Sequence, residues 1–399
     1  MTTRIRVAQV VTRFMAGAGG VALRGALALD PDRYEVVFII GSGDRLVQEA
    51  EGAGYEVVVV EHLRSDIALF EDRRARADLR AVLQAGAFDV VHTHSAKAGT
   101  LGRLAAHDIG VPRIVHTFHG FPFHEFQSWA RRRAYIRIER SLGKLTDAFL
   151  AVGPAVAAEA IRRQIAPPER VRTIGVGVNT TAAPEAADRA EARRLLGAPP
   201  GMHVVGTVGR LDFQKAPEDF VKALALLGRE DVFGVWIGDG PLRGKTERLA
   251  VRRGLTGRIS FLGERTDVND LLPGLDVFAM ASRYEGLPCA IVEAMTAARP
   301  VVATAVNAVP NIVIPGETGL LVPPGRPDLL SRALRDLIDD PAKAARLGAA
   351  GRAQLGEELT TAALGAVLDA TYSAPPARPR STAAATPPAT PPATELAVR

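Results

Sequence analysis

The chain has 399 residues, a length that corresponds to two or three domains. Its hydrophobic content of 47% is enough for each domain to have a sizeable core. Its single cysteine, Cys289, excludes a disulfide framework and favours a reducing, cytoplasmic compartment. The net charge of +5 comes from residues 1–180, which carry 24 lysines and arginines against 19 aspartates and glutamates. A nucleic-acid-binding protein would usually concentrate a larger excess of positive charge in one stripe on its surface. The excess in this chain suits anionic small molecules or an anionic lipid surface.

Short apolar stretches alternate with helical patterns along the chain, and this alternation predicts parallel β-sheets. The first series of predicted strands covers residues 4–11, 36–40, 57–60, 88–94, 113–119, 147–152 and 171–178. The second series covers residues 203–209, 232–238, 258–263, 276–281, 300–304 and 320–322. We therefore predict an α/β protein with two doubly wound, Rossmann-like domains.

The composition changes between the two series, and this change places the domain boundaries. We predict an N-terminal domain at 1–180, a linker at 181–200 and a C-terminal domain at 201–355. Residues 356–372 are predicted to form a helix that returns to the N-terminal domain. Residues 373–399 are rich in proline, alanine and threonine and are predicted to be disordered.

The carboxyl ends of the strands in open parallel sheets are where ligands bind, and several candidate residues lie there. After the first strand, Gly17, Gly19 and Ala22 satisfy a loose dinucleotide fingerprint. No acidic residue closes the second strand, which disfavours a nicotinamide site. The same glycines would allow the backbone to approach a phosphate or a sugar.

Four histidines lie near the ends of the fourth and fifth strands, at positions 92, 94, 116 and 119. No cluster of carboxylates or thiols accompanies them, so the pattern does not indicate a metal site. His119 is followed by Gly120 at the strand exit and is the histidine expected to face a cleft. The other three also fit a structural role.

Two cations, Arg210 and Lys215, follow the first strand of the second series. A planar guanidinium and a compact ammonium five residues apart across a loop can close on one diphosphate. Two solvated surface cations are the alternative interpretation. Arg265 follows the third strand of this series, where a nucleobase could lie.

Residues 282–300 read S-R-Y-E-G-L-P-C-A-I-V-E-A-M-T-A-A-R-P and follow a predicted buried strand. Pro288 suits the first turn of a helix, whose N-terminus offers free N–H groups and partial positive charge to a phosphate. Gly286 permits close approach of the backbone to a ligand. Glu285 and Glu293 flank this anion site, and a carboxylate can accept hydrogen bonds from a diol. The spacing of the two glutamates alone fits equally well a surface-loop glutamate and a solvent-exposed helix glutamate that bind no ligand.

These motifs together resemble the family 4 retaining glycosyltransferases of the GT-B fold, in the branch that builds capsular and exopolysaccharides. The resemblance covers residues 4 to about 372. Its motifs are G-G-V at 19–21, H-T-H-S-A-K-A-G-T-L-G-R-L-A-A at 92–106, H-T-F-H-G-F-P-F-H at 116–124, G-R-L-D-F-Q-K-A-P-E-D at 209–219, G-D-G-P-L-R at 238–243 and E-G-L-P-C-A-I-V-E-A-M at 285–295. It implies two domains that face each other across a cleft, the first binding the acceptor and the second the nucleotide sugar.

The resemblance also implies roles for individual residues. Arg210 and Lys215 would hold the donor diphosphate, Glu293 the ribose hydroxyls and Glu285 the transferred sugar. Gly19 and Gly20 would approach the donor from the opposite domain. The expected catalytic residues are His119, Glu285, Arg210 and Lys215; the other donor-site candidates are Arg265, Gly286, Leu287 and Pro288; the acceptor-side candidates are His94, Lys97 and His119.

Three departures from the family pattern concern substrate choice. Ala22 stands where the family usually has glutamate or glutamine, and Asn179 stands where it usually has aspartate. Residues 307–311 stand where the family has a G-x-P-E stretch, and Asn311 takes the place of its glutamate. The cations proposed to hold the diphosphate are retained. The identity of the donor sugar and of the acceptor therefore cannot be carried over.

The predicted reaction is the transfer of a sugar from a nucleotide diphosphate sugar, UDP-linked by the resemblance, to a hydroxyl group, by a hexosyltransferase-type enzyme. The acceptor is a glycan, a lipid-linked intermediate or a small polar metabolite. We expect no cofactor and no metal, because Arg210, Lys215 and the helix start at Pro288 can stabilise the leaving diphosphate. The literal D-x-D at residues 30–32 is assigned to a proline-containing turn.

Alternative functions are a sugar-nucleotide epimerase on the same fold, a two-domain binding protein without catalysis, and a glycosyltransferase of specialised metabolism. A peripheral membrane contact is also predicted, because residues 121–145 combine basic and aromatic side chains. The basic residues are Arg131, Arg132, Arg133, Arg137 and Arg140, and the aromatic residues are Phe121, Phe123, Phe126 and Trp129. Tyr135, Ile138, Leu142 and Leu145 are predicted to pack on the domain. We therefore expect a cytoplasmic protein that can contact the inner face of the membrane.

Overall fold

The structure, a computed structural model, describes residues 4–15, 17–178 and 186–375, with side chains described for all of these except 186–188. Asn179, residues 181–185 of the predicted linker and residues 376–399 of the predicted tail lie outside the described residues. None of the described helices is long and apolar enough to cross a membrane.

The N-terminal domain contains a seven-stranded parallel sheet in the order β3-β2-β1-β4-β5-β6-β7. Its strands are β1 Ile5–Phe14, β2 Tyr34–Gly43, β3 Glu56–Val59, β4 Val90–His94, β5 Arg113–Phe118, β6 Ala148–Ala151 and β7 Val171–Thr173. Its helices are α1 Ala18–Leu27, α2 Arg45–Gly52, α3 Leu69–Gly86, α4 Ala96–Asp108, α5 Trp129–Gly143 and α6 Pro154–Arg162. Every residue of β4 and β5 is buried, as expected for central strands covered by helices on both faces.

The C-terminal domain contains a six-stranded parallel sheet in the order β10-β9-β8-β11-β12-β13. Its strands are β8 His203–Val208, β9 Val232–Ile237, β10 Ile259–Gly263, β11 Val277–Met280, β12 Val301–Thr304 and β13 Gly319–Val322. Its helices are α8 Pro217–Leu227, α9 Arg243–Arg252, α10 Val268–Leu271, α11 Cys289–Thr296, α12 Pro327–Asp339 and α13 Pro341–Gln354. The predicted α/β fold with two Rossmann-like domains is confirmed.

The predicted linker is helical over part of its length, because residues Ala186–Leu195 form α7. Two arginines of α7 bind Asp276 of the C-terminal domain, and the Arg193 Nη2–Asp276 Oδ2 distance is 2.5 Å. This helix therefore packs on the C-terminal domain.

The last described helix, α14 (Thr361–Tyr372), crosses from the C-terminal domain to the N-terminal domain. Its buried leucines pack against α1, and a Cβ placed on Gly25 would lie 2.7 Å from Leu368 Cδ1. Tyr34 Oη donates to Asp369 Oδ1 over 2.7 Å. Tyr372, at the end of the helix, packs against the first sheet, where its hydroxyl is hydrogen-bonded to Gln9 of β1 and His92 of β4.

The strand order reverses between β1 and β4 in the first sheet and between β8 and β11 in the second. In doubly wound sheets, ligands bind in the crevice that such a reversal opens at the carboxyl ends of the strands. The glycine-rich start of α1 follows β1, the candidate cations follow β8, and the two glutamates follow β11. The two reversals therefore bring these three groups to the cleft between the domains.

Candidate functional site

The loop between β11 and α11 contains Glu285, Gly286 and Leu287, and we call it the glutamate loop. Pro288 has φ −75° and ψ 108°, an extended conformation, and it directly precedes the helix, whereas it was predicted to lie in the first turn. The helix itself has eight residues, with Glu293 in its second half. The N-terminus of α11 is therefore present beside Glu285, one residue later than expected.

Glu285 is the most tightly held residue of the site, with a side chain only 4% exposed. Lys215 Nζ donates to its Oε1 over 2.6 Å, and Gln214 Nε2 donates to its Oε2 over 3.1 Å. Its backbone N–H donates to Asn307 Oδ1 over 2.8 Å. These contacts fix the carboxylate in one orientation at the cleft, where it can accept hydrogen bonds from a polyol.

The two candidate cations occupy different environments. Lys215 is engaged with Glu285, whereas the side chain of Arg210 is 51% exposed and pairs with Asp212 over 3.7 Å. The structure therefore brings Lys215 to the glutamate loop and leaves Arg210 at the rim of the site. An exposed guanidinium on a loop retains the freedom to turn toward an anion.

Glu293 is partly buried, and burial raises the pKa of its carboxyl group, while Arg24 and Lys215 act in the opposite direction. Arg24 comes from α1 of the opposite domain. Its Nε and Nη2 donate to Val176 O over 3.0 and 2.8 Å, and Nη2 lies 3.9 Å from Cys289 Sγ. Sequence reasoning missed this cation, which faces the start of α11 across the cleft.

Gly19 and Gly20 lie in the first turn of α1 and are buried. A Cβ on Gly20 would lie 3.1 Å from Arg24 Nη1, and a Cβ on Gly19 would lie 3.1 Å from Phe14 C. The absence of side chains here leaves room for the Arg24 guanidinium beside the helix start. The spacing of four residues between Gly20 and Arg24 was the available sequence signal, because such residues share a helix face.

His119 lines the cleft immediately after β5. Its Nε2 is 2.8 Å from His94 Nδ1, and burial lowers the pKa of His119 to about 3, with Arg24 adding to this effect. The imidazole is therefore neutral at physiological pH. His94 is buried behind it and is bound to Gln9, so its position does not fit direct contact with an acceptor.

The remaining candidates lie around this centre. Lys97 Nζ is bound by both oxygens of Asp72, at 2.6 and 2.7 Å, so its charge is already paired. Arg265 Nε donates to Asp267 Oδ1 over 2.8 Å at the end of β10. Leu287 is buried and faces Gly153, where a Cβ would lie 3.8 Å from Leu287 Cδ1.

The domains touch where His119 meets the glutamate loop. A Cβ placed on Gly286 would lie 1.9 Å from His119 O, so only glycine fits in this arrangement. Asn311, one of the departures from the family pattern, bridges the domains at another point, because its Oδ1 accepts from Ala155 N over 3.3 Å. A cavity of about 650 Å³ lies between the domains, and both His119 and Glu285 line it.

Among the described residues, no group of three or more histidine, cysteine, aspartate or glutamate side chains could hold a metal ion. Within the D-x-D sequence, Asp30 Oδ1 accepts from Asp32 N over 2.9 Å, and both residues are exposed. This contact is an Asx-type turn, in agreement with the assignment from sequence.

Two Rossmann-like domains, with paired glutamates, cations and a glycine-rich helix start meeting at the cleft between them, define a glycosyltransferase of the GT-B type. Residues 15–182 match the family model described as Glycosyltransferase Family 4, and residues 188–354 match the model described as Glycosyl transferases group 1. The chain belongs to the family 4 glycosyltransferases, as predicted, and is an enzyme of that family.

Two relatives illustrate the range of activities named within the family. A D-inositol 3-phosphate glycosyltransferase from Streptomyces scabiei is 30% identical over 327 residues, which are 77% of this chain and 72% of the relative. The Escherichia coli UDP-Gal:alpha-D-GlcNAc-diphosphoundecaprenol alpha-1,3-galactosyltransferase is 28% identical over 346 residues, which are 85% of this chain and 89% of the relative.

Solved structures support the fold. Anabaena HepE in complex with UDP and glucose superposes with a TM-score of 0.80 at 20% identity, over 93% of this chain and all of that chain. WaaG, a glycosyltransferase involved in lipopolysaccharide biosynthesis, superposes with a TM-score of 0.74 at 18% identity, over 92% of this chain and 99% of that chain.

Proposed function

We propose that the protein transfers a sugar, with retention of configuration, from a UDP-linked donor to a hydroxyl of a lipid-linked glycan intermediate. The observation that carries this proposal is the Glu285 carboxylate, held by Lys215 and Gln214 beside His119 and the start of α11. The Anabaena structure with UDP and glucose supports the donor class, and the Escherichia coli relative, which acts on a diphosphoundecaprenol-linked sugar, supports the acceptor class. The inositol phosphate relatives support a small polar acceptor as the second candidate.

In this mechanism the diphosphate lies at the N-terminus of α11, between Lys215 and an inward-turned Arg210. Glu293 binds the ribose hydroxyls, Glu285 binds hydroxyls of the sugar, and neutral His119 contacts the sugar from the N-terminal domain. The bond between the anomeric carbon and the phosphate oxygen breaks as the acceptor hydroxyl attacks on the face that the diphosphate leaves. The hydroxyl proton passes to the leaving diphosphate, and the cations and helix N–H groups stabilise its charge.

Mass spectrometry of products from a panel of nucleotide sugars and acceptors tests the proposed function. The expected result is release of UDP together with a product heavier than the acceptor by one sugar residue. Epimerised donor without transfer would instead support the epimerase alternative, and binding without UDP release would support a binding protein. Transfer to inositol phosphates but not to lipid-linked acceptors would select the small polar acceptor.

We further propose that transfer requires no divalent cation, because Arg210, Lys215 and the α11 N-terminus can supply the positive charge that a metal would provide. The expected result is unchanged kcat in an assay with excess EDTA. Loss of activity with EDTA, followed by recovery with magnesium or manganese, would contradict the proposed way of binding the diphosphate.

The exposed surface of α5 is the proposed membrane contact, and we call Trp129, Arg131, Arg133, Arg137 and Ile138 the α5 patch. Trp129 is 74% exposed, Arg133 Cζ lies 5.5 Å from its ring centroid, and Arg131 and Arg137 are also exposed. Phe123 was predicted to take part in the membrane contact and is instead buried in the core. Ile138 was predicted to face the domain and is instead 45% exposed. The prediction for Ile138 was wrong because the buried ion pair of Glu139 with Arg103, at 2.8 Å, sets which face of the helix points inward.

Arg132 differs from the neighbouring arginines because it is partly buried and lines the cavity between the domains. Its place in the predicted membrane contact is therefore at the edge of the α5 patch, on the side of the cavity. An acceptor anchored in a membrane at the patch would reach the cavity along this side.

We expect wild-type protein to bind vesicles containing anionic lipid at low salt and to dissociate at high salt. Each basic residue near an anionic surface contributes about 1 kcal/mol, so the charge-reversal variant Arg131→Glu with Arg133→Glu should lose most of this binding. Co-sedimentation with the vesicles measures the fraction of each protein that is bound. Arg252→Glu with Arg253→Glu is the matched control, since it makes the same charge change on exposed residues of the C-terminal domain. Failure of the wild type to co-sediment at low salt would remove support for a membrane-bound acceptor.

A further inference from the structure

A chain of buried hydrogen bonds connects His119 at the cleft to the C-terminal helix. His119 Nε2 is 2.8 Å from His94 Nδ1, and His94 Nε2 is 2.7 Å from Gln9 Oε1. Gln9 Nε2 is 2.9 Å from Tyr372 Oη, which is 2.5 Å from His92 Nδ1. His92 Nε2 ends the chain at Thr117 Oγ1, 2.6 Å away. The links behind His119 are all buried.

The direction of these hydrogen bonds sets the tautomer of His119. The Gln9 carbonyl oxygen can only accept, so His94 carries its proton on Nε2 and its Nδ1 is an acceptor. Burial holds the pKa of His94 well below its usual range, so the ring is neutral and cannot carry a second proton. His119 must then donate from Nε2, which leaves its Nδ1 as an acceptor without a partner among the described residues.

The chain has a second possible direction. If the Gln9 amide turned over, its NH2 would donate to His94 Nε2, every link up to His119 would reverse, and His119 would carry its proton on Nδ1. The two directions require opposite roles of Tyr372 Oη, which has one proton. When Gln9 Nε2 donates to Tyr372 Oη, the hydroxyl donates to His92 Nδ1, and His92 then donates from Nε2 to Thr117. Tyr372 therefore connects the amide orientation to the His92–Thr117 end of the chain.

We propose that Tyr372 is a positioning residue that, through Gln9 and His94, holds His119 as the Nε2–H tautomer and so presents Nδ1 to a hydroxyl of the bound sugar. The contact with the sugar rests on the proposed function, whereas the coupling of the His119 tautomer to the Gln9 amide orientation and to Tyr372 rests on the hydrogen-bond chain alone. Buried polar groups that lose a partner here would not regain one easily from water, because Gln9, His92 and His94 are almost fully inaccessible.

This arrangement makes the active site depend on the docking of α14. Tyr372 is the last residue of that helix, and Leu364 and Leu368 hold the helix against α1. A segment more than 250 residues from His119 in the sequence, as the numbering shows, thus supplies the hydroxyl that orders its ring. The N-terminal domain has this proton arrangement only when the C-terminal helix is in place.

The test removes the hydroxyl alone with Tyr372→Phe. Nitrogen-15 NMR of histidine-labelled protein should show one His119 tautomer in the wild type and a mixture in the variant. The kcat for transfer should fall about tenfold, the size of one lost oriented hydrogen bond, with little change in the KM of the donor. Gln9→Met breaks the same chain at another link and should not add to the effect of Tyr372→Phe.

The matched control is Tyr34→Phe. Tyr34 also bonds α14, through Asp369, but its hydroxyl lies outside the chain. This variant should keep both the single tautomer and the wild-type kcat. A single His119 tautomer in Tyr372→Phe would overturn the proposed positioning, as would a mixture of tautomers with wild-type kcat. If the wild type transferred no sugar at all, the proposed function would fail, and the NMR result would still decide whether Tyr372 sets the tautomer.

Discussion

Replacing Lys215 with alanine is expected to lower kcat/KM for the donor by one to two orders of magnitude or more. Lys215 is proposed to bind the donor diphosphate, and a hydrogen bond to a charged group contributes about 1.5–3 kcal/mol. The structure adds a second cause, because Lys215 is also the cation that holds Glu285, whose side chain is only 4% exposed. Without the ammonium, the Glu285 carboxylate would lose its charge partner and its fixed orientation. Steady-state kinetics with the UDP-linked donor identified by the product assay measure the loss.

Lys222→Ala is the matched control for this prediction. Lys222 is paired with Asp219 over 3.2 Å on α8, whereas Lys215 is paired with Glu285, so removal of Lys222 should leave kcat/KM unchanged. The double variant Lys215→Ala with Glu285→Gln separates the two causes. If Lys215 acts only through Glu285, the double variant should be no worse than Glu285→Gln alone. Wild-type kinetics of Lys215→Ala would contradict the assignment of this lysine to the donor site.

The central strands of both sheets were predictable from sequence because they are buried on both faces and therefore appear as short apolar runs. The ends of the strands were less predictable. β1 was expected to end at Val11 but continues to Phe14, because Arg13 and Phe14 pair with Ser42 and Gly43 of β2. Such pairing depends on a neighbouring strand about 30 residues away, which a local apolar pattern does not contain.

Helix α7 shows a second limit. The predicted linker was assigned from its threonine, alanine and proline content, yet residues 186–195 form a helix. The ion pairs of its arginines with Asp276 join residues more than 80 positions apart, so composition alone could not indicate them. On α5 the hydrophobic period likewise could not show that Glu139 is buried with Arg103.

Candidate site residues could be identified from sequence where they lie in a local motif, but not where the fold supplies a distant partner. The two glutamates and the cations after β8 were candidates from sequence because they follow predicted strands and lie in motifs that resemble the family. Arg24, Gln214 and Asn307 were not identified, although they contact or face the same centre. Asn307 reaches Glu285 from the loop after β12, and Arg24 reaches α11 from the other domain. Only the three-dimensional arrangement brings these residues to the glutamate loop.

Gly286→Ala is expected to reduce kcat by at least about two orders of magnitude, because displacement of an active-site group by about 1 Å can cost a hundredfold in rate. A Cβ at this position would lie 1.9 Å from His119 O and 2.8 Å from His119 C. The glutamate loop must therefore move away from the backbone at His119, directly after β5. That separation would carry Glu285 away from His119. Kinetics measure the loss of activity, and small-angle X-ray scattering should show a larger radius of gyration if the domains part.

The matched control for Gly286→Ala is Gly52→Ala at the end of α2, where a Cβ would have no neighbour within 4 Å. This second substitution adds the same methyl group and should leave kcat and the scattering unchanged, with a slight gain in stability from the higher helix propensity of alanine. Because the contact of Gly286 involves backbone atoms of His119, rotation of a side chain cannot relieve it. Wild-type kcat in Gly286→Ala, with unchanged scattering, would therefore show that the domains need not approach this closely for transfer.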